Sequence, residues 1–321
     1  MKLALLGTGM IVQEVLPVLQ EIPSIALKAI LSTSRSIELA RRLAATYEVP
    51  QATSNYEAIL RNPEVDTVYV GLPNHLHYDY AKKALEAGKH VICEKPFTLS
   101  LSELEDLVTI ANDRDLFLLE AITNQYLGNN AFIKEQLVEL GDIKIVNCNY
   151  SQYSSRYDAF KRGEILPAFN PQMGGGALRD LNIYNIHFVV GLFGKPESVD
   201  YLPNMERGVD TSGVLLLDYG TFKAVCIGAK DCSAQIQSTI QGTKGSIAVL
   251  GATNTMPEVM LTLKGKEAQR SNHNSPHHRM YAEFVAFETI ISENQKEQAQ
   301  KALEHSLVVM SVLEAAAASM T

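Results

Sequence analysis

Residues 1–12 read MKLALLGTGMIV, and the fold of the first part of the chain follows from them. An apolar run, Leu3–Leu6, breaks into Gly7-Thr8-Gly9-Met10-Ile11-Val12 and then into a helical pattern. Glycines at 7 and 9 let the backbone turn tightly and approach a pyrophosphate held at the helix N-terminus. Gly7, Thr8, Gly9, Met10 and Ile11 are therefore candidate cofactor-binding residues. Val12 stands where the usual fingerprint has a third glycine. The start also mimics a secretory leader, but no small-residue cleavage site follows and the run meets polar Gln13-Glu14. A buried first strand fits better, and a cytoplasmic protein is expected.

Outward from this turn, apolar runs at Ile25–Leu31, Val65–Val70, His90–Cys93 and Leu116–Leu119 alternate with helical patterns at Ser36–Tyr47, Tyr78–Ala87 and Ser102–Asn112. Gly88 is placed as a helix C-cap, and Ser100-x-x-Glu103 reads as a capping box. Short buried strands alternating with helices imply a parallel sheet covered on both faces. Pro17, inside the first helical pattern, should shorten or kink that helix.

The grammar changes after about residue 122. Lys144–Gln152 alternates, with Val146, Cys148 and Tyr150 on one side and Asn147 and Asn149 on the other. Strand-like runs follow at Val214–Tyr219, Phe222–Gly228, Gln235–Gln241, Ser246–Leu250 and Val259–Leu263. They predict an antiparallel sheet with one covered face. Helical patterns at Met280–Ser292 and Ala299–Ser319 end the chain. The expected fold is α/β, with domains at 1–122 and 123–321, a terminal helix able to pack back on the first, and a ligand cleft between them.

Composition narrows the class. At about 150 residues per domain, 321 residues make roughly two domains. A hydrophobic fraction of 46% excludes a disordered chain. With 28 Lys+Arg against 36 Asp+Glu the net charge is −8, which disfavours sequence-independent nucleic-acid binding. No apolar run nears the ~18 residues of a membrane span. Cys93, Cys148, Cys226 and Cys232 form no CxxC pair and read as reduced thiols. His273, His277 and His278 fit a solvated loop better than a metal site.

The second strand should deliver the group that selects between NAD and NADP. No Asp or Glu lies between Glu21 and Glu38 to accept from a ribose 2′-hydroxyl. Ser32, Thr33, Ser34 and Arg35 instead offer hydroxyls and a planar fork for a 2′-phosphate, with Ser36 placed as the following N-cap. NADP is therefore expected, with NAD the alternative.

The span Leu72–Pro96 reads LPNHLHYDYAKKALEAGKHVICEKP. With its PNxxH and EKP elements, this closely resembles the Gfo/Idh/MocA oxidoreductases, and the resemblance runs along the whole chain. It implies a Rossmann domain followed by an α/β domain on an open, mainly antiparallel sheet. It places Leu72, Pro73, Asn74, His77, Glu94 and Lys95 around the cofactor, Lys95 beside the nicotinamide and reacting carbon. Its second half is Gly174-Gly175-Gly176-Ala177-Leu178-Arg179-Asp180-Leu181-Asn182-Ile183-Tyr184-Asn185-Ile186-His187. Asp180 and Tyr184, four apart, should share one helical face. Many members carry histidine where Tyr184 stands; the tyrosine form is similar to the glucose–fructose oxidoreductase and dihydrodiol dehydrogenase branch, whose tyrosine is the proton-transfer group. Asn182 replaces a usual glycine and Arg179 a common apolar residue, departures that bear on the substrate. Gln125, where many relatives have arginine, is a candidate cofactor contact. Tyr157, in the loop Tyr153–Phe160, is a candidate substrate contact, and His187 could flank the site.

Hydride transfer to a carbonyl builds charge on oxygen, so a cation and an acid are needed beside it. Lys95 supplies the first and Tyr184 the second, and a neighbouring ammonium would lower the phenol from its ordinary value near 10. Asp180 would orient Lys95 or a substrate hydroxyl. The expected reaction is oxidoreduction of a sugar, polyol or diol. A non-catalytic nucleotide-binding sensor and an NAD-dependent glycoside hydrolase are the alternatives. The resemblance also implies a homodimer or homotetramer formed through the open sheet face, with no nucleic-acid or membrane partner.

Overall fold

Each apolar run of the N-terminal part becomes a strand, and each helical pattern the crossover after it. In the computed structural model, which describes residues 1–319, β1 (Lys2–Leu6) leads to α1 (Met10–Gln20), β2 (Ala26–Leu31) to α2 (Ile37–Thr46) and β3 (Gln51–Thr53) to α3 (Tyr56–Leu60). In the same way β4 (Thr67–Val70) leads to α4 (His77–Glu86) and β5 (His90–Glu94) to α5 (Leu101–Asp113), before β6 (Leu118–Ala121). All strands of this sheet are parallel, in the order β3-β2-β1-β4-β5-β6. The order reverses between β1 and β4, and ligands of such sheets settle outside the carboxyl ends of the strands at that point.

Local signals act as read. Gly88 (φ +77°) follows α4, with its N–H on Leu85 O and that of Lys89 on Ala84 O, both at 2.9 Å. Ser100 and Glu103 close the capping box of α5. Pro17 does not end its helix: α1 runs on to Gln20. The lost N–H falls in the last turn, so little of the ladder depends on it.

Val12 is fully buried, and its Cγ2 lies 2.7 Å from where a Cβ on Gly71 would stand. The glycine missing from the fingerprint at 12 is matched by one at 71, just past β4. Gly71→Ala should therefore overpack the site and destabilise by about 1–3 kcal/mol. Adding Val12→Ala should recover part of that loss in a chemical unfolding curve; an unshifted Gly71→Ala midpoint would contradict this account of the packing.

The second unit contains α6 (Gly128–Gln136), β7 (Ile143–Ser151), α7 (Tyr157–Lys161) and α8 (Ile183–Phe193). Strands β8 (Ser198–Glu206), β9 (Val209–Asp218), β10 (Lys223–Ala229), β11 (Gln237–Gly242), β12 (Gly245–Val249), β13 (Val259–Leu263) and β14 (Gln269–Ser271) follow. With β7 they form an 8-stranded sheet ordered β14-β13-β12-β11-β7-β10-β9-β8, antiparallel except for the β7–β10 pair. Cys148 lies opposite Cys226 and Val146 opposite Ala224 on the buried face. On the other face Ile145, Leu202 and Leu216 are 44%, 63% and 40% exposed. Strand β8 gives no clean sequence signal because Pro203 interrupts it, which an edge strand tolerates.

Helices α9 (Tyr281–Ser292) and α10 (Lys296–Ala318) come last. The first unit comprises Met1–Ala121 and Met280–Leu307; the second comprises Ile122–Arg279 and the chain from Val308. Helix α9, placed by sequence in the second domain, thus belongs to the first. The cause is apolar: Phe284 and Phe287 are fully buried, and Phe284 meets the Tyr69 ring edge-on at 5.5 Å. Among the described residues no helix is long and apolar enough to cross a membrane.

Candidate active site

At the end of β1 the backbone turns through Gly7 at φ +110°, where an added Cβ would stand 2.6 Å from Gly71 O. Gly9 is the N-cap of α1, and a Cβ there would meet nothing within 4 Å. The protein itself therefore requires glycine at 7, whereas at 9 the missing side chain leaves an open approach. The N-cap residue, being glycine, makes no side-chain capping bond, and no acidic residue lies in the first turn. The positive end of the helix suits an anion. Thr8 is half-buried beside this turn, Met10 is 70% exposed and Ile11 is partly covered.

The residues after β2 gather hydroxyls. Ser32 Oγ lies 2.7 Å from Ser36 Oγ and 3.5 Å from Thr8 Oγ1, and Thr33 Oγ1 lies 2.8 Å from Ser36 Oγ. Ser36 occupies the N-cap position of α2 as read, but its hydroxyl makes no capping bond to its own helix. Ser34 and Arg35 are exposed. The nearest carboxylate in sequence, Glu38, pairs with Arg41 at 2.6 Å. These residues fit a phosphate better than a ribose hydroxyl, since donors abound and no free acid stands among them.

His77 is fully buried, with Nδ1 2.9 Å from Pro96 O and Nε2 2.8 Å from Leu72 O. It straps the Leu72-Pro73-Asn74 turn to the loop after β5, so its influence on a cofactor passes through those loops. Burial pulls the imidazole below its ordinary pKa, against the opposing pull of the carbonyls. Glu94 is buried and accepts from Tyr69 Oη at 2.6 Å. That bond holds the residue next to Lys95, whose side chain is half-buried.

In the second unit the glycine run opens into a π-turn, Leu178–Asn182, that continues as α8. Asp210 anchors its start: Oδ2 accepts from the Leu178 N–H at 2.7 Å and from Tyr201 Oη at 2.8 Å. A side chain at Gly176 would collide with this carboxylate. Tyr184 lies in the first turn of α8 and Asp180 in the wider π-turn. Such turns recur at functional sites. Asn182 bears on packing. It is fully buried, donates to Cys226 O at 3.0 Å and occupies space that a Cβ on Gly228 would need, 2.7 Å from its own Cβ.

Sequence reading missed Lys230. Its side chain is 2% exposed, with Nζ 2.7 Å from Asp180 Oδ2 and 2.5 Å from Ala168 O. The available signal was a lone lysine directly after an apolar strand. Tyr184 is half-buried, its ring centroid 6.2 Å from that of Tyr150, and its carbonyl accepts from Asn124 at 2.9 Å. Gln125 is held within this unit, donating to Asn124 Oδ1 at 3.0 Å and to His187 O at 2.9 Å. His187 itself is fully buried. The second half of the loop Tyr153–Phe160 enters α7, which starts at Tyr157. Tyr157 donates to Glu206 Oε2 at 2.8 Å, a bond that pushes its phenol up to about 12 and makes it a poor base. His273 stacks on Phe132 at 4.1 Å.

Residues 1–121 match a family model described as an oxidoreductase family with an NAD-binding Rossmann fold, and residues 136–248 match a GFO/IDH/MocA C-terminal domain. The chain is 32% identical over 318 residues to scyllo-inositol 2-dehydrogenase (NADP(+)) IolU of Bacillus subtilis, covering 98% of this chain and 95% of that one. It is 27% identical to human trans-1,2-dihydrobenzene-1,2-diol dehydrogenase, covering 82% and 78%. Among solved structures it superposes on KijD10, a 3-ketoreductase of Actinomadura kijaniata in complex with NADP and TDP-benzene, with TM-score 0.84, 25% identity and 98% and 97% coverage. Aldose-aldose oxidoreductase of Caulobacter crescentus, complexed with glycerol, shares the fold with TM-score 0.85 at 21% identity, covering 98% and 97%.

Proposed function

The chain belongs to the Gfo/Idh/MocA oxidoreductase family, and we propose that within it this protein is an NADP-linked dehydrogenase or reductase of a sugar, polyol or diol. The observation that carries the cofactor reading is the linked hydroxyl set of Thr8, Ser32, Thr33 and Ser36 beside exposed Arg35, next to the α1 N-terminus at Gly9. The names of the relatives support it, since the Bacillus subtilis enzyme is named for NADP+ and KijD10 is bound to NADP. Gly7 to Ile11 hold the diphosphate, and Ser32, Thr33, Ser34 and Arg35 the 2′-phosphate. Leu72 to Asn74, Glu94 and Gln125 line the remainder, and His77 fixes the loops they sit on.

When bound, the nicotinamide supplies the hydride acceptor or donor. Lys95 places an ammonium where charge develops on the substrate oxygen, Tyr184 takes or gives the hydroxyl proton, and Asp180 orients the hydroxyl being oxidised. The exposed Ile145, Leu202 and Leu216 support a homodimer or homotetramer built on the open sheet face. The reading is tested by NADP+ reduction with scyllo-inositol, a trans-dihydrodiol and free aldoses; turnover of none of them would contradict it. For the cofactor, Arg35→Ala should raise the KM for NADPH about tenfold or more, the scale of a lost charge-assisted hydrogen bond, while leaving that for NADH unchanged. Equal effects on both cofactors would assign Arg35 elsewhere.

A further inference from the structure

We propose that Lys230 is a positioning residue of the reaction, fixing the Asp180 carboxylate and tying it to the Ala168 carbonyl and the Phe169 ring. The inference rests on the reading of Asp180 as a site residue. Lys230 stands one residue past β10, and its side chain is 2% exposed. An ammonium taken so far from water is strongly unfavourable unless paired, and an apolar residue of similar volume usually serves stability as well or better. Strand β10 needs no such anchor, being laddered to β7 on one side and β9 on the other. The buried charge therefore requires a reason beyond folding.

Its contacts supply one. Nζ is 2.7 Å from Asp180 Oδ2, 2.5 Å from Ala168 O and 4.4 Å from the Phe169 ring centroid. Neighbouring acids are committed elsewhere. Asp231 Oδ2 accepts from Thr211 at 2.7 Å and Ser212 at 2.9 Å, and Asp210 holds Leu178 and Tyr201. Asp180 is 37% exposed at its side chain while the ammonium grips Oδ2. A carboxylate gripped in this way is fixed in direction, as an acceptor for a substrate hydroxyl must be. Phe169 in turn stacks on Phe160 at 4.8 Å and lies 5.7 Å from Tyr157. One cation thus sets both Asp180 and the loop bearing Tyr157.

The experiment is a double-mutant cycle on kcat with NADP+ and whichever polyol or diol of the panel turns over fastest. Lys230→Met should lower kcat at least tenfold and leave the Kd for NADPH unchanged, and Lys230→Arg should restore part of the loss. If Lys230 acts through Asp180, Lys230→Met in an Asp180→Asn background should change kcat less than twofold. Losses that multiply would overturn the proposal, as would a Lys230→Met enzyme with native kcat. Native kcat in Asp180→Asn alone would instead remove the site reading beneath it, so the two failures are distinguishable.

Discussion

Replacing Tyr184 by phenylalanine should lower kcat by roughly a hundredfold or more, the usual scale for losing a proton-transfer group, with NADPH affinity preserved. The substitution removes one oxygen and leaves the ring near Tyr150 and the main-chain bond from Asn124 in place. Lys95→Ala should produce a loss of similar size by a different route, removing charge stabilisation at the substrate oxygen. Its neighbour Glu94 stays fixed by Tyr69, so the β5 end should keep its shape. Steady-state kinetics with direct NADPH binding measures both variants. Full activity in the two would refute the assigned roles, and a kcat loss accompanied by equal loss of NADPH affinity would point to a collapsed cofactor site.

Gly7→Ala and Gly9→Ala should fail in opposite ways. At Gly7 the backbone sits at φ +110° and the added carbon would lie 2.6 Å from a main-chain oxygen, which cannot rotate away. Backbone strain alone costs about 1–3 kcal/mol, so the variant should melt at clearly lower temperature or fail to accumulate. At Gly9 an alanine meets only open space, and stability should move by less than about 0.5 kcal/mol. That open space is where the diphosphate is assigned, so Gly9→Ala should raise the Kd for NADPH about tenfold or more, the scale of an overpacked contact. Thermal unfolding and cofactor titration separate the two cases. A Gly9→Ala protein with native affinity would move the diphosphate away from this turn.

Much of the first sheet could be read in advance because a strand buried on both faces leaves an apolar run, as Leu3–Leu6 and Val68–Val70 do. The hydroxyl cluster was equally plain, since it rests on neighbours in sequence. What stayed hidden depends on partners far along the chain. Val12 looked like a defect until Gly71 was found to make room for it, and Asn182 like a substrate determinant until Gly228 did the same. Lys230 pairs with Asp180 across fifty positions, a distance that periodicity cannot report. The π-turn that alters the phase between Asp180 and Tyr184 follows from contacts to Asp210 and β10, which no local pattern encodes.

Hydride transfer itself is the central claim, and isotope transfer tests it most directly. A polyol deuterated at the carbon being oxidised, incubated with NADP+ and this enzyme, should yield NADPH carrying deuterium at the nicotinamide C4, read by proton NMR. Label-free NADPH, or a protein that binds the nucleotide tightly and transfers no label across the whole panel, would contradict the account.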